Sequence, residues 1–208
     1  MNTPTLDEKS FTIANFLSDN ELESINKLSN AIPNSKNEGH FKAYTNGFDY
    51  ELLPKSIRNK IKDCIGEQDP TISMILKETQ PWGIHTDFQK EGETTNPTWA
   101  LLIPIDYSGK THTVIFNEES DENYLSDYKK THPKKTYSYT DEQLDLLAHC
   151  DHEDLDWVTN PKFYRWQRGD LIAWRRSLWH SSDNFKKDEH DYKTALVLFF
   201  CEPKAQDG

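Results

Sequence analysis

The chain is poor in cysteine. Cys64, Cys150 and Cys201 are the only three in 208 residues, odd in number and far apart. They exclude a disulfide framework and any CxxC motif. Reduced thiols in an intracellular protein are the expectation. Long apolar runs are missing too: nothing approaches the roughly 20 residues of a membrane-spanning helix. The opening "MNTPTLDEKS" is polar and acidic, unlike a signal peptide, so a cytoplasmic protein is expected, with no membrane partner. Basic residues are the minority, 24 Lys and Arg against 35 Asp and Glu, for a net charge of −11. That sign repels phosphate backbones, so no nucleic-acid partner is expected. A local basic pocket can still hold a small anion, because a distant field is screened.

Hydrophobic residues make up only 35% of the chain, but six Trp and nine Tyr point to an aromatic-rich core under a polar surface. The length suits one domain carrying an insertion, 1–208. No internal repeat is visible.

The first 70 residues read as helical support. In "FLSDNELESINKLSNAI", Ser18 and Glu21 form a capping box, and Leu22, Ile25 and Leu28 share a helical face. Pro33 ends this helix. A second helix is predicted over "PKSIRNKIKDCI", with Pro54 in its first turn. From residue 71 the pattern changes to short β-type runs: "TISMILKE", "TWALLIPIDY", "THTVIFNE", "FYRWQ", "DLIAW" and "KTALVLFF". Turn signals separate them at Pro81-Trp82-Gly83, Ser108-Gly109 and Arg168-Gly169-Asp170. Many short strands behind N-terminal helices predict a mainly β fold, a double-stranded β-helix or jelly roll over 71–201. Residues 117–161 interrupt the strands with a charged, tyrosine-rich insertion. Thr140 and Gln143 there form a second capping box, for a short helix through about Ala148. Such a segment acts as a lid or as an ordinary surface excursion.

The chemistry concentrates in "PWGIHTDF", residues 81–88, at the end of a strand. Residues i and i+2 of an extended chain point to one face, so His85 and Asp87 project side by side. They make two-thirds of a facial metal site. The third member is His180, in "RGDLIAWRRSLWHSS", where a Gly-Asp turn starts a strand and a basic connection leads to the histidine. Two imidazoles and a carboxylate on one face leave three cis positions open on an octahedral ion, the arrangement of non-haem Fe(II) oxygenases. Farther on, Lys193, Ala195, Val197 and Phe199 share one face of the last strand. A lysine heading an apolar face needs an anion, because a buried unpaired ammonium is costly. Arg175 and Arg176 are competing anion binders.

Region 71–201 resembles the 2-oxoglutarate/Fe(II)-dependent dioxygenase superfamily in its prolyl-4-hydroxylase-like branch. The resemblance rests on His85-Thr86-Asp87, the distal His180 and the downstream Lys193. It is joined by "WALLIPIDYSGKTHTVIF", by "GDLIAW" and by the opening "FLSDNELESI". It implies Fe(II) held by His85, Asp87 and His180, with 2-oxoglutarate and O2 as co-substrates. Lys193 would anchor the distal carboxylate of 2-oxoglutarate, with a hydroxyl from Thr113. Many family members place an arginine there with a serine two residues on; here position 195 is Ala. The implied reaction couples decarboxylation to succinate and CO2 with hydroxylation of a substrate. Because Asp87 is present, halogenation is disfavoured. A small-molecule substrate is expected, read by the insertion and by loops near residues 89–98. The alternatives are a protein or peptide side chain as substrate, and a cupin-like metal-binding module without turnover. Oligomeric state is not encoded legibly.

Other clusters carry plainer expectations. His149, Cys150, Asp151 and His152 match no zinc spacing and have acidic neighbours, so they read as a solvated helix end. The lysines of "YKKTHPKK" read as a solvated loop, alternatively as an attractor for an anionic substrate. Trp82, Trp99 and Trp174 are expected in the core or in a pocket wall.

Overall fold

The computed structural model describes residues 8–32, 43–66, 68–88, 95–188 and 192–203. A short strand β1 (Ser10–Ile13) precedes helix α1 (Asp19–Ala31), strand β2 (Ala43–Gly47) and helix α2 (Lys55–Ile65). Strands β3 (Ile72–Glu78), β4 (Thr95–Tyr107) and β5 (His112–Glu119) follow. The insertion holds helices α3 (Leu125–Thr131), α4 (Asp141–Leu146) and α5 (His152–Leu155). The chain closes with strands β6 (Lys162–Arg165), β7 (Leu171–Arg175), β8 (Leu178–Ser182) and β9 (Lys193–Pro203).

All strand pairs are antiparallel, in a six-stranded sheet ordered β1-β7-β4-β9-β3-β2 and a three-stranded sheet ordered β6-β5-β8. Period-two alternation sorts their side chains between layers. On β9, Leu196, Leu198 and Phe200 join the core beneath the helices, while Ala195 and Val197 join the core between the sheets. Ile115, Trp166 and Leu178 meet them there from the smaller sheet. Leu22 and Ile25 of α1 and Ile57, Ile61 and Ile65 of α2 cover the outer face of the larger sheet. Each such side chain contributes about 1.5–3 kcal/mol on full burial. The predicted Ser18–Glu21 capping box is present: Glu21 N–H donates to Ser18 Oγ, and Ser18 N–H donates to the Glu21 carboxylate at 2.9 Å.

The jelly-roll prediction holds, with one correction. The first 70 residues are not purely helical support, because β1 pairs with β7 and β2 pairs with β3 at the two edges of the larger sheet. The Gly-Asp turn before β7 has a physical cause. Gly169 takes φ of 81° and lies so close to α1 that a Cβ would stand 3.0 Å from Leu22 Cδ1. Its carbonyl accepts Leu17 N–H at 2.9 Å, tying the helix entry to the sheet.

The insertion carries three helices where one was predicted. Leu125, Tyr128, Leu147, Cys150, Leu155 and Val158 pack on Val114, Phe116 and Trp179, the outward-facing residues of β5 and β8. Its apolar side is therefore a buttress for the smaller sheet. Three of the four lysines of the 128–135 run are matched locally: Lys129 pairs with Asp154, Lys130 with Asp127 at 2.6 Å, and Lys134 with Asp156 at 2.8 Å. Residues 89–94 of the second expected substrate loop lie outside the described residues.

Candidate metal centre

The site is built where a fragment of a fourth strand joins the smaller sheet. His85 and His180 exchange both main-chain hydrogen bonds, at 3.0 and 2.8 Å. Directly paired residues in an antiparallel ladder present side chains to one face. The two imidazole rings accordingly stand 4.3 Å apart between centroids. Asp87 is placed by a different contact: its N–H donates to Arg176 O at 3.1 Å, and its own carbonyl accepts Arg176 Nε and Nη2 at 3.0 and 2.6 Å. The sheet thus positions the histidines, and a guanidinium positions the aspartate.

The tautomers follow from the hydrogen bonds. A carbonyl oxygen only accepts, so His85 Nδ1 donates to Gly83 O at 2.8 Å and His180 Nδ1 donates to Leu178 O at 3.0 Å. Each ring is left with its Nε2 lone pair. Burial pushes the His180 imidazolium down to about 4, outweighing the pull of Asp87 in the other direction. His180 is therefore neutral near pH 7. His180 Nε2 then faces Asp87 Oδ2 at 3.3 Å with two lone pairs opposed. Asp87 Oδ2 is buried and has no hydrogen-bond donor among the described residues.

Such an opposition is unfavourable until a cation sits against it. Among the described residues, His85, Asp87 and His180 are the group of His, Cys, Asp or Glu able to hold a metal ion, with ligand atoms within 4.8 Å of one another. Two imidazoles oriented by backbone carbonyls, with one carboxylate, form a donor set suited to a divalent transition metal. The His149–His152 cluster does not compete. His149 Nε2 contacts Trp82 O at 3.0 Å, and burial pushes the Cys150 thiol up to about 12.

The three groups open onto a cavity of about 510 Å3 between the two sheets. Met74, Leu76, Leu102, Trp174, Val197 and Phe199 supply its apolar wall. Trp82 also lines it, whereas Trp99 packs against Phe11 beneath the helices. From the insertion, Asn123 and Tyr124 reach the cavity, and Tyr124 is 65% exposed. The same segment is latched to the His85–Asp87 stretch: Thr86 Oγ1 donates to Glu122 O at 2.7 Å.

Lys193 and Thr113 lie in this cavity too, both buried. Thr113 Oγ1 accepts Trp166 Nε1–H at 2.9 Å. Lys193 Nζ sits 3.2 Å from Glu78 Oε2, an oxygen that also accepts Ser182 Oγ–H at 2.8 Å. Sequence reasoning missed Glu78 and Ser182. The signal for Glu78 was available, since alternation from Met74 and Leu76 carries it to the inner face of β3. Neither arginine lines the cavity. Arg175 lies over the Trp99 ring at 4.1 Å, and Arg176 is not an anion binder of the cavity but a buried clamp on the Asp87 backbone, with Nη1 2.9 Å from Cys201 Sγ.

No protein-family model matches the chain, and no curated protein matches it. Solved structures do. A 2OG-Fe(II) oxygenase family oxidoreductase from Burkholderia pseudomallei is 14% identical, with 93% of this chain and 84% of that one covered at a TM-score of 0.55. The non-heme alpha ketoglutarate dependent carbocyclase SnoK from nogalamycin biosynthesis is 12% identical, over 97% of this chain and 85% of that one, TM-score 0.57. A prolyl-4-hydroxylase from Pseudomonas putida is 8% identical, over 94% of each chain, TM-score 0.53. At these identities the likeness establishes the architecture: the chain has the jelly-roll fold of these oxygenases, with its candidate metal centre between the two sheets.

Proposed function

We propose that the chain is an Fe(II)- and 2-oxoglutarate-dependent oxygenase that hydroxylates a small molecule. The observation that carries this is the buried approach of His180 Nε2 to the unpartnered Asp87 Oδ2 beside His85, three ligand groups within 4.8 Å of one another. His85, Asp87 and His180 would hold the iron, which with 2-oxoglutarate and O2 supplies an oxidation that releases succinate and CO2. The protein's own contribution is positional. Gly83 O and Leu178 O hold the imidazoles in the ligating tautomer. Arg176 fixes the aspartate. The apolar wall keeps bulk water from the reacting centre. Lys193 and Thr113, in the same cavity, suit the distal carboxylate of the co-substrate.

The carbocyclase likeness and the prolyl-4-hydroxylase likeness point to different substrate classes. A cavity of about 510 Å3 falls in the range of small-ligand pockets and supports the first. Tyr124, exposed and lining the cavity, is positioned to meet the substrate. The test is succinate release on adding Fe(II), ascorbate and 2-oxoglutarate. Release from the wild type and none from His180→Ala supports the assignment. Iron uptake without 2-oxoglutarate binding would leave a metal-binding module without turnover.

A further inference from the structure

One end of the cavity contains a carboxylate that the proposed reaction does not employ. Glu78 on β3 and Lys193 on β9 stand directly opposite each other in the ladder. The two side chains are buried, with Nζ 3.2 Å from Glu78 Oε2. Ser182 Oγ donates to that same oxygen at 2.8 Å, so the carboxylate is held from a second strand. The ammonium also lies 4.7 Å from the Trp166 ring centroid and 5.2 Å from that of Phe185.

A Lys–Glu pair is neutral as a unit, whichever partner carries the shared proton. The end of the cavity that would receive the distal carboxylate of 2-oxoglutarate therefore offers no net positive charge. A second carboxylate arriving at Lys193 meets Glu78 in a site shielded from water, where like charges are weakly screened. A 2-oxo acid with an uncharged distal group meets no such opposition.

We propose that Glu78 is a specificity-determining residue: its carboxylate competes with the distal carboxylate of the co-substrate for Lys193, and so weakens dianionic 2-oxo acids relative to monoanionic ones. This inference rests on the oxygenase assignment. Glu78 then sets how much 2-oxoglutarate is needed to load the site, because the Lys193–Glu78 contact must open when the acid binds.

The experiment is calorimetric titration of 2-oxoglutarate and of pyruvate into the anaerobic Fe(II)-loaded protein, wild type and Glu78→Gln. Glutamine keeps the shape, accepts from Lys193 and can still bond Ser182, but removes the competing charge. We expect 2-oxoglutarate to bind at least about tenfold more tightly to Glu78→Gln, with pyruvate changed by less than about threefold. Unchanged or weaker 2-oxoglutarate binding, with Fe(II) stoichiometry intact, overturns the proposal and leaves Glu78 a positioning residue for Lys193. Should Glu78→Gln fail to fold, Ser182→Ala removes the hydrogen bond that holds the carboxylate. It should tighten 2-oxoglutarate by about two- to fivefold, and no tightening there overturns the proposal equally. Failure of the oxygenase assignment looks different: Fe(II) binds, but neither acid binds wild type or variant, and both proposals fall.

Discussion

At the histidine end of the cavity, each imidazole spends one nitrogen on a backbone carbonyl, and His180 turns the other toward an Asp87 oxygen that has no hydrogen-bond donor among the described residues. At the lysine end, Lys193, Glu78 and Ser182 satisfy one another. The two ends are walls of one cavity, yet one is complete and the other is not. Buried polar groups are nearly always partnered, so an orphaned carboxylate oxygen signals a ligand still to come. A closed charge pair signals the reverse: whatever binds there must first compete with a side chain. The difference predicts that metal binding needs little rearrangement, whereas binding of a distal anion needs the pair to separate.

The sharpest way to break this comparison is at the histidine end. His85→Ala or His180→Ala should abolish stoichiometric Fe(II) binding, measured by metal content after desalting, while circular dichroism shows the fold retained. A variant that holds iron as tightly as wild type removes the metal centre from the comparison altogether. The lysine end should respond in the opposite manner, through stability more than through iron. Lys193→Ala leaves the Glu78 carboxylate buried without its cation, a change that costs about 3–5 kcal/mol. Adding Glu78→Gln in the same chain should restore much of that loss in urea unfolding, and iron stoichiometry should be unchanged in both. A Lys193→Ala protein of wild-type stability would show that the pair is not closed as described.

The histidine end also has a pH signature. In the metal-free fold the imidazolium of His180 is pushed down to about 4, against an ordinary value of 6.5. Between those values the unfolded chain takes up a proton that the folded chain refuses. Stability is therefore lost as pH falls through that window, by roughly 3 kcal/mol in total. Urea midpoints from pH 7.5 to 4.5 should fall more steeply for wild type than for His180→Gln. Equal slopes would mean that the ring is more hydrated than its burial indicates.

These two ends were unequally legible in the sequence. His85, Asp87 and His180 could be picked out because a period-two pair and a Gly-Asp turn are local signals. Lys193 was legible for the same reason, as a lysine heading an apolar strand face. Alternation along β3 turns Glu78 inward, but its partner Ser182 lies 104 residues away on the other sheet, and only the packing of the two sheets brings them together. Arg176 read as a competing anion binder, since it sits on a short basic connection; its burial comes from packing under β4 and β9, where Thr98 O accepts its N–H at 3.0 Å. The edge strands β1 and β2 escaped notice because they are four and five residues long and exist through pairing with β7 and β3. In the insertion, α4 carries a readable Thr140–Gln143 box, while α3 and α5 have no side-chain cap and depend on tertiary packing.

The smallest effect discriminates most finely at the lysine end. Thr113 Oγ1 accepts the indole N–H of Trp166 at 2.9 Å, and the Trp166 ring lies under the Lys193 ammonium. A hydroxyl that accepts from the indole keeps its own proton to donate into the cavity. Thr113→Val preserves the shape but orphans the buried Trp166 N–H, which should cost about 1–2 kcal/mol of stability. If the hydroxyl also donates to the distal carboxylate of 2-oxoglutarate, affinity for the acid should fall by about tenfold as well. Thr113→Ser keeps the oxygen and should recover both losses. The measurement is 2-oxoglutarate titration of the anaerobic Fe(II) protein beside urea unfolding of the same three samples. A valine variant that loses stability but keeps wild-type affinity would show that the hydroxyl serves Trp166 alone. Recognition of the distal group would then rest on Lys193, with Glu78 set against it.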